Sequence, residues 1–249
     1  MRIASWAVLI ALNLSPALFA QTSVRLPPQT TSGTGFTGAP YSAKETSVKI
    51  QTAADGTQRT ATYVELLWRD ASGRTRREVV QQDPYGAEYR SVIITDPIAG
   101  VYLKWTIGNV AVNKVATIWP LSEDQKITAP PPPRRIPSSN PAPAGNDPTC
   151  GCERLAPQLI NGVYAEGSRS RRTVLTSPER GAQPVVVTNE LWISPDLRII
   201  MRHINDDPVE GPSTANVTDV VLGDPDPALF TAPQGYAIRD TRQSSTQNR

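Results

Sequence analysis

Histidine and cysteine are scarce in this chain, which has one histidine, His203, and two cysteines, Cys150 and Cys152. A hydrolytic centre needs a nucleophile or activated water, a base and a charge stabiliser within reach of one another. No Gly-x-Ser-x-Gly elbow, His-Glu-x-x-His helix, phosphate-binding Gly-Lys-Ser/Thr loop or dinucleotide fingerprint occurs. The sequence therefore predicts no catalytic residue, no metal and no cofactor, with an unrecognised hydrolase as the alternative to a non-enzymatic protein.

The few residues that could carry chemistry have structural interpretations. His203 follows Leu197, Ile199 and Met201 at two-residue spacing, so a strand would place all four on one face. This pattern favours a buried structural histidine over a catalytic base. The acidic residues near the end of the chain could bind calcium, but prolines among them indicate ordinary turns. They are Asp206, Asp207, Glu210, Asp219, Asp224 and Asp226.

Cys150 and Cys152 flank a single glycine beside a proline-rich stretch. In an oxidising compartment they predict a possible disulfide, either an inert local bridge or a link to another chain. A redox pair and two thirds of a metal site are the functional alternatives. No other cysteine and no nearby histidine completes a zinc set.

The chain also lacks a clear excess of either charge, since it has 25 basic and 23 acidic residues. Near-balance argues against a nucleic-acid partner, because proteins that bind nucleic acids concentrate a clear basic excess.

The chain begins with Arg2, an apolar run over 3–14 and a small residue at Ala20. This layout predicts a signal peptide over 1–20, cleaved near Ala20, in a secreted or periplasmic protein with no membrane span after cleavage.

Long helical periodicity is missing, and short alternating apolar runs separated by turn residues predict a mainly β fold. We expect antiparallel hairpins that form a curved sheet or half-barrel, or alternatively two related sheets, with little helix. Asp226-Pro227 predicts a helix N-cap, followed by one helical turn that plugs the core. The predicted segments are a flexible leader (21–40), an N-terminal β half (41–128), a Pro-rich linker (129–152), a C-terminal β half (153–240) and a disordered tail (241–249). The two halves could form one domain.

The linker contains four consecutive prolines, Pro130 to Pro133, followed by Arg134-Arg135. Such a composition favours extended polyproline II and a semi-stiff spacer. A Pro-x-x-Pro run beside two arginines could instead be a ligand for an aromatic-lined groove.

One hairpin sequence, Arg69-Asp70-Ala71-Ser72-Gly73-Arg74-Thr75-Arg76-Arg77-Glu78, resembles a group of uncharacterised secreted bacterial proteins. The later stretches over 93–97 and 190–197 match that group, as does the ending from Asp226-Pro227-Ala228-Leu229-Phe230 to Pro233-Gln234-Gly235-Tyr236. Those proteins in turn are distantly similar to the lipoprotein-carrier (LolA/RseB-like) scaffold. That resemblance implies a curved antiparallel sheet that cups short helices and an apolar cavity, and it carries over no activity.

The residues of the matched hairpin also have a direct interpretation. Asp70, Ser72 and Gly73 predict a tight loop. Arg74, Arg76 and Glu78 alternate onto one strand face, where they could pair across the hairpin.

The sequence predicts two alternative functions. The first is a non-enzymatic envelope protein that binds a lipid or other apolar ligand in the concavity of the sheet. The second is an interaction or structural module that binds another envelope protein through sheet edges or the Pro-rich linker. An ordinary filled core is the alternative role of the aromatic side chains assigned to the ligand site. Those residues are Trp68, Trp105, Trp119, Trp192 and Phe230.

Overall fold

A computed structural model describes residues 38–52, 57–83, 85–108, 114–122, 145–147, 152–176 and 181–242. The predicted signal peptide, most of the leader and linker, Cys150 and residues 243–249 lie outside these ranges. Within them, no helix is long and apolar enough to cross a membrane. The described elements are β1 (Tyr41–Thr52), β2 (Gln58–Arg69), β3 (Thr75–Gln82), β4 (Glu88–Asp96), β5 (Val101–Gly108), β6 (Val115–Pro120), β7 (Gly145–Asp147), β8 (Cys152–Ile160), β9 (Val163–Leu175), β10 (Pro184–Ser194), β11 (Ile199–Asp206), β12 (Ser213–Leu222), a 3-10 turn (Pro227–Phe230) and β13 (Ala237–Asp240).

All thirteen described strands form one open, curved sheet in the order β13-β6-β5-β4-β3-β2-β1-β12-β11-β10-β9-β8-β7. Successive strands pair antiparallel, and β13 pairs with β6 in parallel. The antiparallel β1–β12 ladder joins the strands before the predicted linker to those after it. The mainly β prediction with antiparallel hairpins is therefore confirmed, and the two halves share one sheet instead of forming two.

Two apolar clusters lie on opposite faces of this sheet. Leu67 packs against the first cluster, and its neighbour Trp68 packs against the second. Because successive side chains of an extended strand point to opposite faces, the core changes face at β2. The buried members of the first cluster are Tyr41, Ala43, Ile160, Ala165, Trp192, Leu197, Ile199, Met201 and Val217. Those of the second are Val92, Ile94, Trp105, Ala116 and Phe230.

Aspartate side chains close the turns between strands. Asp96 accepts hydrogen bonds from the backbone N–H groups of Ile98 and Ala99, at 3.0 and 2.8 Å. Asp207 accepts in the same way from Val209 and Glu210, at 2.8 and 3.0 Å. Both aspartates precede a proline, Asp96-Pro97 and Asp207-Pro208, and these hydrogen bonds are Asx-turn chemistry. Among the residues that the structure describes, no three His, Cys, Asp or Glu side chains are grouped as a metal site would require.

Candidate functional site

Three of the five aromatic residues assigned to a ligand site lie together. Trp105 and Phe230 are buried in the second cluster, and Trp68 packs against it. The β2–β3, β3–β4 and β4–β5 registers align Trp68 with Arg76 and Ile94, and Val92 with Trp105. These side chains therefore share one face of the sheet, which we call the aromatic face.

The other two aromatic residues lie elsewhere. Trp192 belongs to the first cluster, where its ring covers Gly167. Trp119 pairs with Tyr102 across β5–β6, and their rings stack at 5.0 Å on the face opposite the aromatic face. A single cavity lined by all five residues is therefore not formed, because the apolar clusters lie on opposite faces of one sheet.

A buried ion pair lies within the aromatic face. Arg76 and Glu78 occupy alternate positions of β3, and their side chains are 8% and 7% exposed. The Arg76 Nε and Nη2 atoms donate to Glu78 Oε1 at 2.9 and 2.5 Å. The guanidinium carbon of Arg76 lies 5.3 Å from the Trp105 ring centroid and 5.7 Å from that of Trp68. Arg76 therefore brings a positive charge between two indole rings, an arrangement that favours cation–π attraction.

The C-terminal strap, which we define as residues 223–236, contacts the aromatic face. The Arg76 Nη1 atom donates to the carbonyl of Leu229 at 2.5 Å. The guanidinium of Arg74 lies 4.9 Å from the Phe230 ring centroid. Asp226 caps the 3-10 turn by accepting from the N–H of Ala228 at 2.9 Å. The predicted N-cap and the helical turn that plugs the core are thus present, and Phe230 is the plugging residue.

Two further hydrogen bonds hold the ends of the strap. The N–H of Ala71 donates to Asp224 Oδ1 at 2.7 Å. The hydroxyl of Tyr236 donates to the carbonyl of Thr106 at 2.8 Å. The strap therefore runs from the β2–β3 turn to β5, across the aromatic face.

The matched hairpin is held by its own side chains. Asp70 accepts from the Ser72 hydroxyl at 2.7 Å, from the Arg74 N–H at 2.9 Å and from Arg74 Nε at 2.7 Å. The tight loop is therefore present as predicted. Arg76 pairs along its own strand with Glu78, so the predicted pairing across the hairpin is not made by these residues. Across β2–β3, Arg77 pairs with Glu65 on the opposite face, and Glu78 pairs with Arg90 across β3–β4.

One buried donor of the aromatic face has no protein partner among the described residues. This donor is the indole N–H of Trp105. A buried N–H without an acceptor costs about 1–3 kcal/mol. Neither this donor nor the ion pair beneath Leu229 was anticipated from the sequence. In the sequence Arg76 lies between Thr75 and Arg77, and Glu78 follows Arg77, so no apolar pattern within β3 indicated the burial of this pair.

The remaining sequence candidates lie outside the aromatic face. His203 is half-buried on β11, with its Nε2 atom 2.9 Å from Asn189 Nδ2, and burial lowers its pKa below the ordinary value. His203 follows Met201 of the first cluster by two residues on β11, but it is half-buried and is not a member of that cluster, so the fully buried position predicted for it is not observed. Cys152 takes part in a disulfide, and Cys150 lies outside the described residues.

No model of a known protein family matches this chain, and no curated protein matches it. Among solved structures, it is similar to MucB in a MucA/MucB complex from Pseudomonas aeruginosa, with 13% identity and a TM-score of 0.40. That match covers 82% of this chain and 59% of the other. A structure of MucB with periplasmic MucA matches at 9% identity and a TM-score of 0.35, over 82% and 58% of the two chains.

A LolA superfamily protein from Nitrosomonas europaea also matches, at 9% identity and a TM-score of 0.30, over 81% of this chain and 94% of that one. At TM-scores of 0.30 to 0.40, both the distant likeness to the lipoprotein-carrier scaffold and the family with the matched hairpin stay predictions. The chain spans about 59% of the length of the MucB chain it matches first. Likenesses at these TM-scores show no function.

Proposed function

We propose that this protein is a secreted or periplasmic, non-enzymatic binding protein that holds an apolar ligand, such as a lipid or acyl chain, on its aromatic face. The observation that supports this proposal is that a four-residue 3-10 turn covers the aromatic face. Phe230 and Leu229 occupy the positions that the ligand would take against Trp105 and Trp68. An apolar, aromatic-lined surface with a few polar groups is the usual composition of a small-molecule site.

The free energy lost when Phe230 and Leu229 leave the aromatic face sets the minimum length of an apolar ligand that could replace them. Burying one phenylalanine and one leucine side chain stabilises a fold by about 5 kcal/mol in total, and each buried methylene contributes about 0.8 kcal/mol. A ligand that displaces Phe230 and Leu229 therefore needs roughly six buried methylenes to offset their loss. Longer acyl chains then bind with a net gain, and shorter ones do not displace the strap.

Binding of the fluorescent apolar probe N-phenyl-1-naphthylamine to the mature protein tests this proposal, with saturated fatty acids of increasing length as competitors. We expect palmitate to compete and hexanoate not to compete. Phe230→Ala is expected to tighten probe binding about tenfold, since a vacated apolar cavity accepts apolar guests. Trp105→Ala is expected to weaken it, because it removes the surface that the ligand contacts.

Trp119→Ala is the matched control, because it removes an indole from the opposite face. Circular dichroism of each variant verifies folding. The proposal would be wrong if probe affinity were the same in wild type, Phe230→Ala and Trp119→Ala. It would also be wrong if the probe bound without competition from palmitate.

A further inference from the structure

The hairpin of β9 and β10 extends beyond both of its neighbouring strands. β8 pairs with β9 no further than Arg169, and β11 pairs with β10 no further than Thr188. The β9–β10 ladder continues from there to the pair Leu175 and Pro184. We call residues 171–175 and 184–187 the basic arm. Among the residues that the structure describes, no strand pairs with either outer edge of this arm.

The basic arm is positively charged. It carries Arg171 and Arg172, both exposed, and no acidic residue. In the sequence between its two strands, Glu179 and Arg180 add one charge of each sign, so residues 171–187 have a net charge of +2. The nearest carboxylate contact is that of Glu153 Oε2 with Arg171 Nη1, at 3.5 Å, between side chains that are 39% and 56% exposed. Such an exposed pair leaves most of the positive charge available to a partner.

The basic arm also exposes large apolar side chains. Leu175 is 72% exposed and Val186 is 52% exposed. The register pairs Pro184 with Leu175 and Val186 with Thr173, so Leu175, Val186 and Arg171 share one face. A two-stranded ribbon that exposes apolar residues and two strand edges to water is a surface on which another strand can pair.

We propose that the basic arm binds an extended acidic segment of a partner protein, which adds as a strand to the outer edge of β9. The residue types of that segment follow from β9, because directly opposite residues of neighbouring strands lie on the same face and contact each other. Acidic residues would lie opposite Arg171 and Arg172, and apolar residues opposite Val174 and Leu175. Thr173 separates the two pairs. A matching segment therefore has two apolar residues, one central residue and two acidic residues.

Strand addition accounts for the arm better than a membrane surface does. Within the described ranges, no strand pairs with the outer backbone N–H and C=O groups of the arm, and a lipid environment cannot satisfy such groups. A third strand pairs these groups and covers Leu175 at the same time. This binding site lies on the β9–β10 hairpin and is independent of the aromatic face.

The test uses the mature protein and a fluorescein-labelled peptide with the sequence Val-Val-Thr-Glu-Glu between acetyl and amide ends. Fluorescence anisotropy at low salt measures binding. The double variant Arg171→Glu with Arg172→Glu is expected to weaken binding at least tenfold, which corresponds to the loss of two exposed charge pairs and their replacement by repulsion. The matched control reverses Arg59 and Arg239, two exposed arginines on other strands, and is expected to leave binding unchanged.

A second peptide carries proline in place of threonine and of the second valine, which preserves the charge and prevents strand pairing. We expect it not to bind. Equal binding of both peptides would overturn strand addition and show attraction by charge alone. Arm-dependent binding to phosphatidylglycerol vesicles, with no peptide binding, would overturn the proposal in favour of a membrane surface. Phe230→Ala is expected to leave peptide binding unchanged, so failure here is separate from failure of the apolar-ligand site.

Discussion

The buried pair of Arg76 and Glu78 allows a double-mutant cycle whose outcome follows from the contacts. Glu78→Met leaves the Arg76 guanidinium buried without its carboxylate, which is expected to cost about 3–5 kcal/mol of unfolding free energy. Arg76→Met leaves Glu78 with Arg90, whose Nη1 atom lies 3.3 Å from Glu78 Oε2. It also removes the hydrogen bond to the carbonyl of Leu229. We expect this second change to cost about 2–4 kcal/mol.

The double variant Arg76→Met with Glu78→Met removes both charges together and fills the space with apolar atoms. Replacing a buried pair by apolar side chains of similar volume is often close to neutral. The unpaired carbonyl of Leu229 remains, so the double variant is expected to lose about 1–2 kcal/mol. The single losses sum to at least about 5 kcal/mol, and the coupling energy is therefore at least about 3 kcal/mol.

Urea denaturation followed by tryptophan fluorescence and far-UV circular dichroism measures these free energies. An m-value of about 2 kcal/mol per molar turns a loss of about 4 kcal/mol into a midpoint shift of roughly 2 M. The wild type, both single variants and the double variant are measured together. If the double variant lost as much as the two single variants combined, the buried pair would not be the coupled unit that the geometry indicates.

Three smaller predictions concern other parts of the sheet. Burial, reinforced by the carboxylate of Glu65, raises the pKa of Glu45, so its charged form opposes folding at pH 7. Glu45→Gln should therefore raise the thermal midpoint at pH 7 and lose this advantage as the pH falls; an equal gain at pH 4 would contradict this reasoning. Burial lowers the pKa of His203, so the stability it contributes is present above about pH 6.5 and is lost as the pH falls through the folded pKa. Urea midpoints at pH 7.5 and 5 should separate wild type from His203→Gln, and identical acid losses would refute the prediction. A Cβ on Gly211, where φ is +87°, would lie 1.9 Å from a β1 carbonyl oxygen, whereas a Cβ on Gly235, where φ is +84°, meets open space. Gly211→Ala should cost more than about 2 kcal/mol and Gly235→Ala about 1 kcal/mol, as measured by urea denaturation, because only the former adds a clash to the backbone strain.

Turn chemistry made much of the fold predictable from the sequence. Asp70, Asp96 and Asp226 each accept from backbone N–H groups within a few residues of themselves. Such local bonds depend on residue type and spacing, so the hairpins and the capped 3-10 turn could be placed without any knowledge of tertiary contacts. The strand that returns by parallel pairing, β13, was not recognised, because its four residues are largely exposed and carry no alternating pattern.

The change of core face at β2 explains why the aromatic site was only partly predicted. Val64, Leu66 and Trp68 alternate along β2, a pattern that by itself indicates one buried face, although Leu67 between them is also apolar and packs on the other side. Only Leu66, Leu67 and Trp68 are consecutive, which is too short a run to predict a strand covered on both faces. The separation of Trp192 from Trp105 therefore depends on tertiary packing that the local pattern does not specify.

Two of the four sequence stretches that carry the family resemblance, 69–78 and 226–236, contact each other. Ala71, Arg74 and Arg76 of the matched hairpin bind Asp224, Phe230 and Leu229, more than 140 residues later in the chain. The hairpin residues that predicted a local turn therefore also fix the segment that covers the aromatic face. Arg76 donates through Nε to Glu78 and through Nη1 to the carbonyl of Leu229. Any ligand that displaces the strap must therefore supply a new acceptor for Nη1. An apolar chain alone cannot provide one, so the ligand proposed for this face would need an oxygen acceptor at one end of its apolar chain.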